Sequence, residues 1–241
     1  MTKLLMPYIT AGIRPDWTDY LTAFTGAGAD LIEVGLPFSD PTVDGVTIQE
    51  ASDAALARGA TPASVLAELA EIRVSVPLIA STYANIALRP GFADALRAAG
   101  VTGLIVPDLP LDELAGLSAP GIAVSLLASP VTPDDRLAEI VRRSQGFVYA
   151  VSVMGTTGER DQLSPSAAAL AARVRQVTDL PVLLGFGIST PQQAAQAAAV
   201  ADGVIVGAAI MRRILDGAGP AELGLFVAAL RDALSSPIAV R

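Results

Sequence analysis

The densest chemistry in the chain lies in one stretch, Ile32-Glu33-Val34-Gly35-Leu36-Pro37-Phe38-Ser39-Asp40-Pro41-Thr42-Val43-Asp44-Gly45. An apolar strand pattern over 29–34 carries a single carboxylate, Glu33, at its carboxyl end. A buried, unpartnered Glu costs several kcal/mol or takes up a proton. Asp40 and Asp44 follow in one Gly- and Pro-rich loop, so their carboxylates are expected to converge above Glu33. The chain has no His and no Cys, which removes His bases, Cys nucleophiles and Cys/His zinc sites together. Lys3 is the one lysine and stands at the N-terminus. Carboxylates and tyrosines are left to move protons. Glu33 and Asp44 are therefore the leading acid–base pair. The competing reading is that Asp40 and Asp44 cap turns or the next helix while Glu33 is ion-paired. The Glu33/Asp44 pair favours chemistry; Asp40 alone does not decide.

Elements that could position these groups alternate along the whole chain. Strand patterns fall at 4–10, 29–34, 77–81, 103–106, 121–127, 147–151, 181–184 and 203–206. Helical patterns lie between them. One is expected from Asp16, with Asp19 at capping-box spacing, and others at 47–58, after Thr61-Pro62, at 91–99 and, briefly, at 111–117. Thr132-Pro133-Asp134-Asp135 and Thr190-Pro191-Gln192-Gln193 repeat the cap-then-proline signature, and a last helix covers 220–234. Strands that alternate with helices imply a parallel sheet with crossover helices. Eight units in 241 residues, without a linker or a composition shift, predict one α/β domain over 1–241, a closed (β/α)8 barrel. An open doubly wound sheet would favour a Gly-rich turn after its first strand, and Thr10-Ala11-Gly12 is a poor match.

In such a barrel all carboxyl ends of the strands face one way and carry the site. Tyr8, Thr10, Glu33, Tyr83, Asn85, Asp108, Leu127 and the turns at 155–158, 185–189 and 207–208 fall on that rim, with Asp44 in a loop beside them. The glycine turns after strands seven and eight suit a phosphate. Backbone N–H groups at helix N-termini bind it without Lys or Arg. The alternative is that these glycines only permit tight turns. The loop 154–160, Met-Gly-Thr-Thr-Gly-Glu-Arg, suits a lid, or else an ordinary surface loop.

Composition narrows the partners. A net charge of −8 argues against nucleic acid and against an anionic membrane surface. No apolar run reaches about 18 residues without Gly, Pro or charge, and no signal peptide is visible, so a cytoplasmic location is expected. No metal and no cofactor are expected.

The same residues resemble the tryptophan synthase alpha subunit family over nearly the whole chain. The resemblance rests on Pro7-Tyr8-Ile9-Thr10-Ala11-Gly12, the run from Glu33 to Gly45, Tyr83-Ala84-Asn85, Val106-Pro107-Asp108-Leu109-Pro110, Thr157-Gly158, Gly185-Phe186-Gly187-Ile188-Ser189 and Asp202 to Gly207. The run from Glu33 to Gly45 is highly specific; the glycine turns alone are not. The resemblance implies retro-aldol cleavage of indole-3-glycerol phosphate to indole and glyceraldehyde 3-phosphate. It implies that Glu33 moves the protons and that Asp44 pairs with the indole N–H. Tyr8 and Tyr83 would line the pocket, and Thr157 would steady the acidic loop. Gly158, Gly187, Ile188, Gly207 and Ala208 would hold phosphate.

It further implies a pyridoxal-phosphate beta subunit as partner, in an alpha2-beta2 complex, docking on Asp40, Pro41, Asp108 and Pro110. Three features depart from the family pattern. Strand one begins without the usual covering helix, Ala208 replaces a frequent Ser, and Val153-Met154 stands where some relatives carry Arg. The alternatives are a free-standing lyase that releases indole, a weakly active partner subunit, and a sugar-phosphate isomerase, which the acidic loop disfavours.

Overall fold

The structure is a computed structural model that describes residues 2–151, 165–185 and 187–235. The described residues form nine parallel strand segments: β1 Leu4–Thr10, β2 Ile32–Gly35, β3 Leu78–Ser81, β4 Val101–Ile105, β5 Ala123–Val124, β6 Leu127–Ala128, β7 Val148–Val151, β8 Val182–Gly185 and β9 Gly203–Val206. Their order in the sheet is β5-β4-β3-β2-β1-β9-β8-β7-β6. The two outer segments, β5 and β6, are successive pieces of one extended stretch separated by Ser125 and Leu126. The sheet therefore returns on itself as an eight-strand barrel. The break follows from a change of partner: Ala123 and Val124 pair with β4, whereas Leu127 and Ala128 pair with β7. At the break the Ser125 N–H donates to Leu104 O, and the Leu126 N–H to the Ser144 hydroxyl.

Alternation along the strands sorts the side chains into two cores. Met6, Ile79, Ile105, Phe147, Tyr149, Leu183 and Ile205 point inward and fill the barrel. Their neighbours, such as Leu5, Ile9, Val34, Leu104 and Val204, point outward and pack under the helices. Glu33 takes an inward position on β2, between the outward Ile32 and Val34.

The helices are α1 Trp17–Gly26, α2 Val46–Ala57, α3 Pro62–Glu71, α4 Ala84–Ala87, α5 Phe92–Ala98, α6 Asp134–Arg143, α7 Pro165–Arg175, α8 Pro191–Val200, α9 Ala208–Leu215 and α10 Pro220–Ser235, with a 3₁₀ turn at Leu111–Gly116. Thr61 and Thr190 cap α3 and α8 in capping boxes with Ser64 and Gln193. Two expected caps are corrected. Asp16 makes no cap bond to α1, because its carboxylate pairs with Arg14 at 3.1 Å. Thr132 does not cap α6, because its hydroxyl accepts the Ser129 N–H at 3.0 Å and Pro133 stands at the cap. The 83–85 segment, read from sequence as a strand end, opens the short helix α4. Among the described residues no helix is long and apolar enough to cross a membrane.

Candidate active site

A cavity of about 240 Å³ opens at the carboxyl end of the barrel. Its walls include Tyr8, Glu33, Asp44, Ile48, Ser81, Ile105, Leu127, Tyr149, Ile188 and Ile205, with Gly187, Gly207 and Ala208 at one side. No Lys or Arg is among the described residues that line it.

Two glycines make this space. A Cβ on Gly35 would stand 2.1 Å from the Tyr8 hydroxyl oxygen, and one on Gly185 would stand 2.4 Å from Cε2 of Tyr149. Both tyrosine rings lie where those side chains would be. The Tyr8 hydroxyl is 3.1 Å from Thr10 Oγ1. Burial raises the pKa of both phenols, so both stay protonated.

Glu33 is 4% exposed. Burial pushes its pKa up to about 8, a bond from Ser81 opposes that rise, and the charge of Asp44 adds to it. The carboxyl is thus protonated at neutral pH. Asp44 is half-buried and reaches the cavity from the loop before α2. Its backbone is set by a turn, with its N–H donating to Pro41 O, and by the Gln49 side chain donating to its carbonyl at 2.8 Å. The Tyr83 hydroxyl donates to Asp44 Oδ2 at 2.7 Å, and the Tyr83 ring stacks on Phe38 at 4.6 Å. Burial raises the pKa of Asp44 above its ordinary 3.8 and the Tyr83 bond lowers it. One carboxyl is tuned to hold a proton and the other to stay charged for longer, an arrangement suited to acid–base work.

The expected site residues divide into five groups. Tyr8, Glu33, Asp44, Gly187, Ile188, Gly207 and Ala208 come together around the cavity. Tyr83 stands behind Asp44 rather than in the cavity wall. Asp40 does not converge on Glu33: it is exposed and accepts from the Ser39 hydroxyl at 2.6 Å. A turn bond from the Thr42 N–H to Asp40 O fits it to the outer loop. Pro41, Asp108 and Pro110 lie outside the cavity wall, and Asp108 accepts the Ala84 N–H that opens α4. Thr157, Gly158 and the expected lid lie outside the described residues.

On the phosphate side, Gly187 has a φ of +82°, which only glycine adopts freely. Gly207 precedes the first turn of α9, whose N-terminus opens at Ala208 beside the cavity. Sequence reasoning missed Ser81 and Tyr149 as wall residues. Period-two alternation from Ile79 and Phe147 puts both on the inner face, and that signal was available.

Comparison with known proteins accords with this geometry. A sequence model of the family described as tryptophan synthase alpha chain matches residues 1–226. The tryptophan synthase alpha chain of Prochlorococcus marinus is 44% identical over 95% of this chain and 89% of its own. That of Synechocystis is 43% identical over 96% and 93%. Among solved structures, tryptophan synthase from Mycobacterium tuberculosis superposes with a TM-score of 0.87 at 39% identity, covering 97% of this chain and 93% of that one. Tryptophan synthase subunit alpha from Legionella pneumophila gives 0.86 at 34% identity, over 97% and 93%.

Proposed function

The chain belongs to the tryptophan synthase alpha chain family, carbon–carbon lyases that cleave indole-3-glycerol phosphate, and we propose that Glu33 and Asp44 carry this cleavage. The observation that supports the assignment is a buried Glu33 and a second carboxyl, Asp44, in the wall of one cavity. The protonated Glu33 gives its proton to indole C3, leaving the ring as a cation. The Glu33 carboxylate then takes the proton of the side-chain hydroxyl. The bond between C3 and the glycerol carbon breaks, and its electron pair returns to the ring. Indole and glyceraldehyde 3-phosphate result, and Glu33 ends protonated as it began. Asp44, whose upward pKa shift the Tyr83 bond opposes, pairs with the indole N–H in its charged form and stabilises the cation.

Tyr8 and the apolar wall from Ile105, Leu127 and Ile205 accept the indole. The Gly187-Ile188 and Gly207-Ala208 backbones hold phosphate through N–H groups and the α9 dipole. In the same proposal Thr157 and Gly158 complete the site, residues 1–241 form one domain, and the chain works in the cytoplasm. A tryptophan synthase beta subunit docks over the rim at Asp40, Pro41, Asp108 and Pro110.

The test is indole release from indole-3-glycerol phosphate by the parent, Glu33→Gln and Asp44→Asn. Removing a positioned acid or base costs about 10²–10⁴-fold in turnover. Both variants staying within a few-fold of the parent, with folding unchanged, would make the carboxylates structural and end the proposal.

A further inference from the structure

Tyr8 stands between the two halves of the proposed site. It lies on β1, which has β9 on one side and β2 on the other. β9 leads into the Gly207-Ala208 turn, and β2 carries Glu33. Tyr8 is paired with Glu33 across the β1–β2 register. The root of its side chain borders the phosphate turn: a Cβ on Gly207 would stand 3.6 Å from the Tyr8 Cβ. The hydroxyl end lies over Gly35, the next inward position of β2 after Glu33. The side chain therefore runs from the phosphate end to the carboxyl end of the cavity that it lines. The substrate must span the same interval, because its glycerol chain joins the phosphate to indole C3. The chain carbon next to C3 bears the hydroxyl whose proton Glu33 takes.

The Tyr8 hydroxyl is 3.1 Å from Thr10 Oγ1, and either oxygen can be the donor. Thr10 is fully buried, and this is its one side-chain hydrogen bond among the described residues. A phenol oxygen can accept such a bond and still donate its own proton. With Thr10 as the donor, the Tyr8 O–H is left for a ligand. Burial keeps that proton on the phenol. The other donors at the cavity are placed for other work. The Tyr83 hydroxyl is given to Asp44. The Tyr149 ring lies over Gly185 on β8, three strands from β2. Ser81 is on β3, beyond Glu33 from the phosphate turns.

We propose that the Tyr8 hydroxyl is a further catalytic group: it donates a hydrogen bond to the substrate oxygen on the chain carbon next to indole C3, and Thr10 holds it in the donating orientation. The proposal rests on the reading of this cavity as the one that cleaves indole-3-glycerol phosphate. No proton leaves Tyr8. Glu33 removes the proton of the substrate hydroxyl, and negative charge gathers on its oxygen. The bond between C3 and the chain carbon then breaks, its electron pair returns to the ring, and that oxygen becomes the aldehyde carbonyl. A donor already fixed on the oxygen binds more strongly as the charge develops, so it favours the transition state over the bound substrate. Thr10 is a positioning residue, because it acts through Tyr8.

The test uses the full chain and two ligands that differ in the chain hydroxyls. Indole release is measured from indole-3-glycerol phosphate, and affinity is measured for indole-3-propanol phosphate, which has the ring and the phosphate but no chain hydroxyl. Tyr8→Phe is expected to lower kcat roughly ten- to 100-fold, with a smaller change in KM. It should bind indole-3-propanol phosphate as tightly as the parent does, which also shows that the variant folds. Thr10→Val should lose less, and should cost nothing further when added to Tyr8→Phe, as coupled neighbours do. A parent-like kcat in Tyr8→Phe overturns the inference. So does an equal loss on both ligands, which would make the phenol a pocket-shaping group only. Additive losses for the two substitutions overturn the role given to Thr10. A parent that releases no indole, alone or with a beta subunit, overturns the underlying reading of the cavity, and the inference with it.

Discussion

A carboxyl that titrates near 4.5 in the unfolded chain and near 8 in the folded one ties stability to pH. Between those values the folded state holds one more proton than the unfolded state, so stability falls as pH rises through that window. A tenfold difference in proton affinity between the two states is worth at most about 1.4 kcal/mol, so the ceiling is a few kcal/mol. Glu33→Gln carries no such proton and is expected to gain on the parent steadily from pH 5 to pH 8.5 in urea unfolding. A constant difference across that range would mean that Glu33 titrates normally.

The proposed roles set opposite requirements at the two carboxyls. Turnover is expected to fall as pH rises through about 8, where Glu33 would lose its proton, and as pH drops through the raised pKa of Asp44. Tyr83→Phe keeps the ring stacked on Phe38 but removes the bond that lowers the Asp44 pKa. Its acid limb should therefore move to higher pH, and a pH–rate profile that coincides with the parent's would remove Tyr83 from the site. That Glu33 and Asp44 meet in one cavity was legible in the sequence, because Glu33 ends an apolar strand and Asp44 lies in the loop that follows it. Ser81 was legible as an inward residue by alternation from Ile79, but its place near Glu33 was not, since that depends on a strand far along the chain lying beside β2.

At the scale of elements, inward glycines decide where the aromatic rings go. Gly35→Ala would put a Cβ 2.1 Å from the Tyr8 hydroxyl oxygen and 2.6 Å from its Cζ, and a ring cannot bend away as a flexible chain can. The ring must shift into the cavity. Overpacking of this kind costs about 1–3 kcal/mol, and turnover should fall with it. Parent-like stability and indole release would show that the ring has room to spare.

The phosphate turns make a second, gentler prediction. Ala208 opens α9 beside the cavity, so Ala208→Ser would add a hydroxyl next to the proposed phosphate. A hydrogen bond to a charged group is worth at most about 1.5–3 kcal/mol, so affinity for glyceraldehyde 3-phosphate should rise by roughly tenfold or somewhat more. Unchanged affinity in a titration would place the phosphate elsewhere. Eight strand–helix units were legible because the apolar runs are short and the caps at Thr61 and Thr190 are true capping boxes. The division of one strand into β5 and β6 was not, because it reflects a change of neighbour within a continuous apolar run. Thr132 misled for a local reason: its hydroxyl satisfies the backbone of Ser129 before the helix begins.

Across the whole molecule, the rim outside the cavity is wired to the carboxyl within it. Asp108, exposed on the loop after β4, accepts the Ala84 N–H; α4 begins there, directly after Tyr83, and Tyr83 holds Asp44. Asp40, also exposed, accepts from the hydroxyl of its own neighbour Ser39 and takes no part in the hydrogen bonds that join Asp108, Ala84, Tyr83 and Asp44. A beta subunit seated over both would act on catalysis through Asp108, whereas Asp40 would serve docking alone. A bound partner that stabilises the arrangement with Tyr83 against Asp44 raises turnover only by its preference for that arrangement. The isolated chain is therefore expected to release indole slowly and to speed up as a cognate beta subunit is added. Asp40→Ala should shift the titration to higher beta-subunit concentration and leave the basal rate near the parent's. Asp108→Ala should lower the basal rate as well, because α4 loses a bond that positions Tyr83 even without a partner. The comparison is indole release against beta-subunit concentration for parent and both variants. If the isolated parent is fully active and indifferent to any beta subunit, the coupled reading falls and the free-standing lyase takes its place. If Asp108→Ala behaves like Asp40→Ala, the link from the rim to Asp44 is absent and the two residues are docking contacts of one kind.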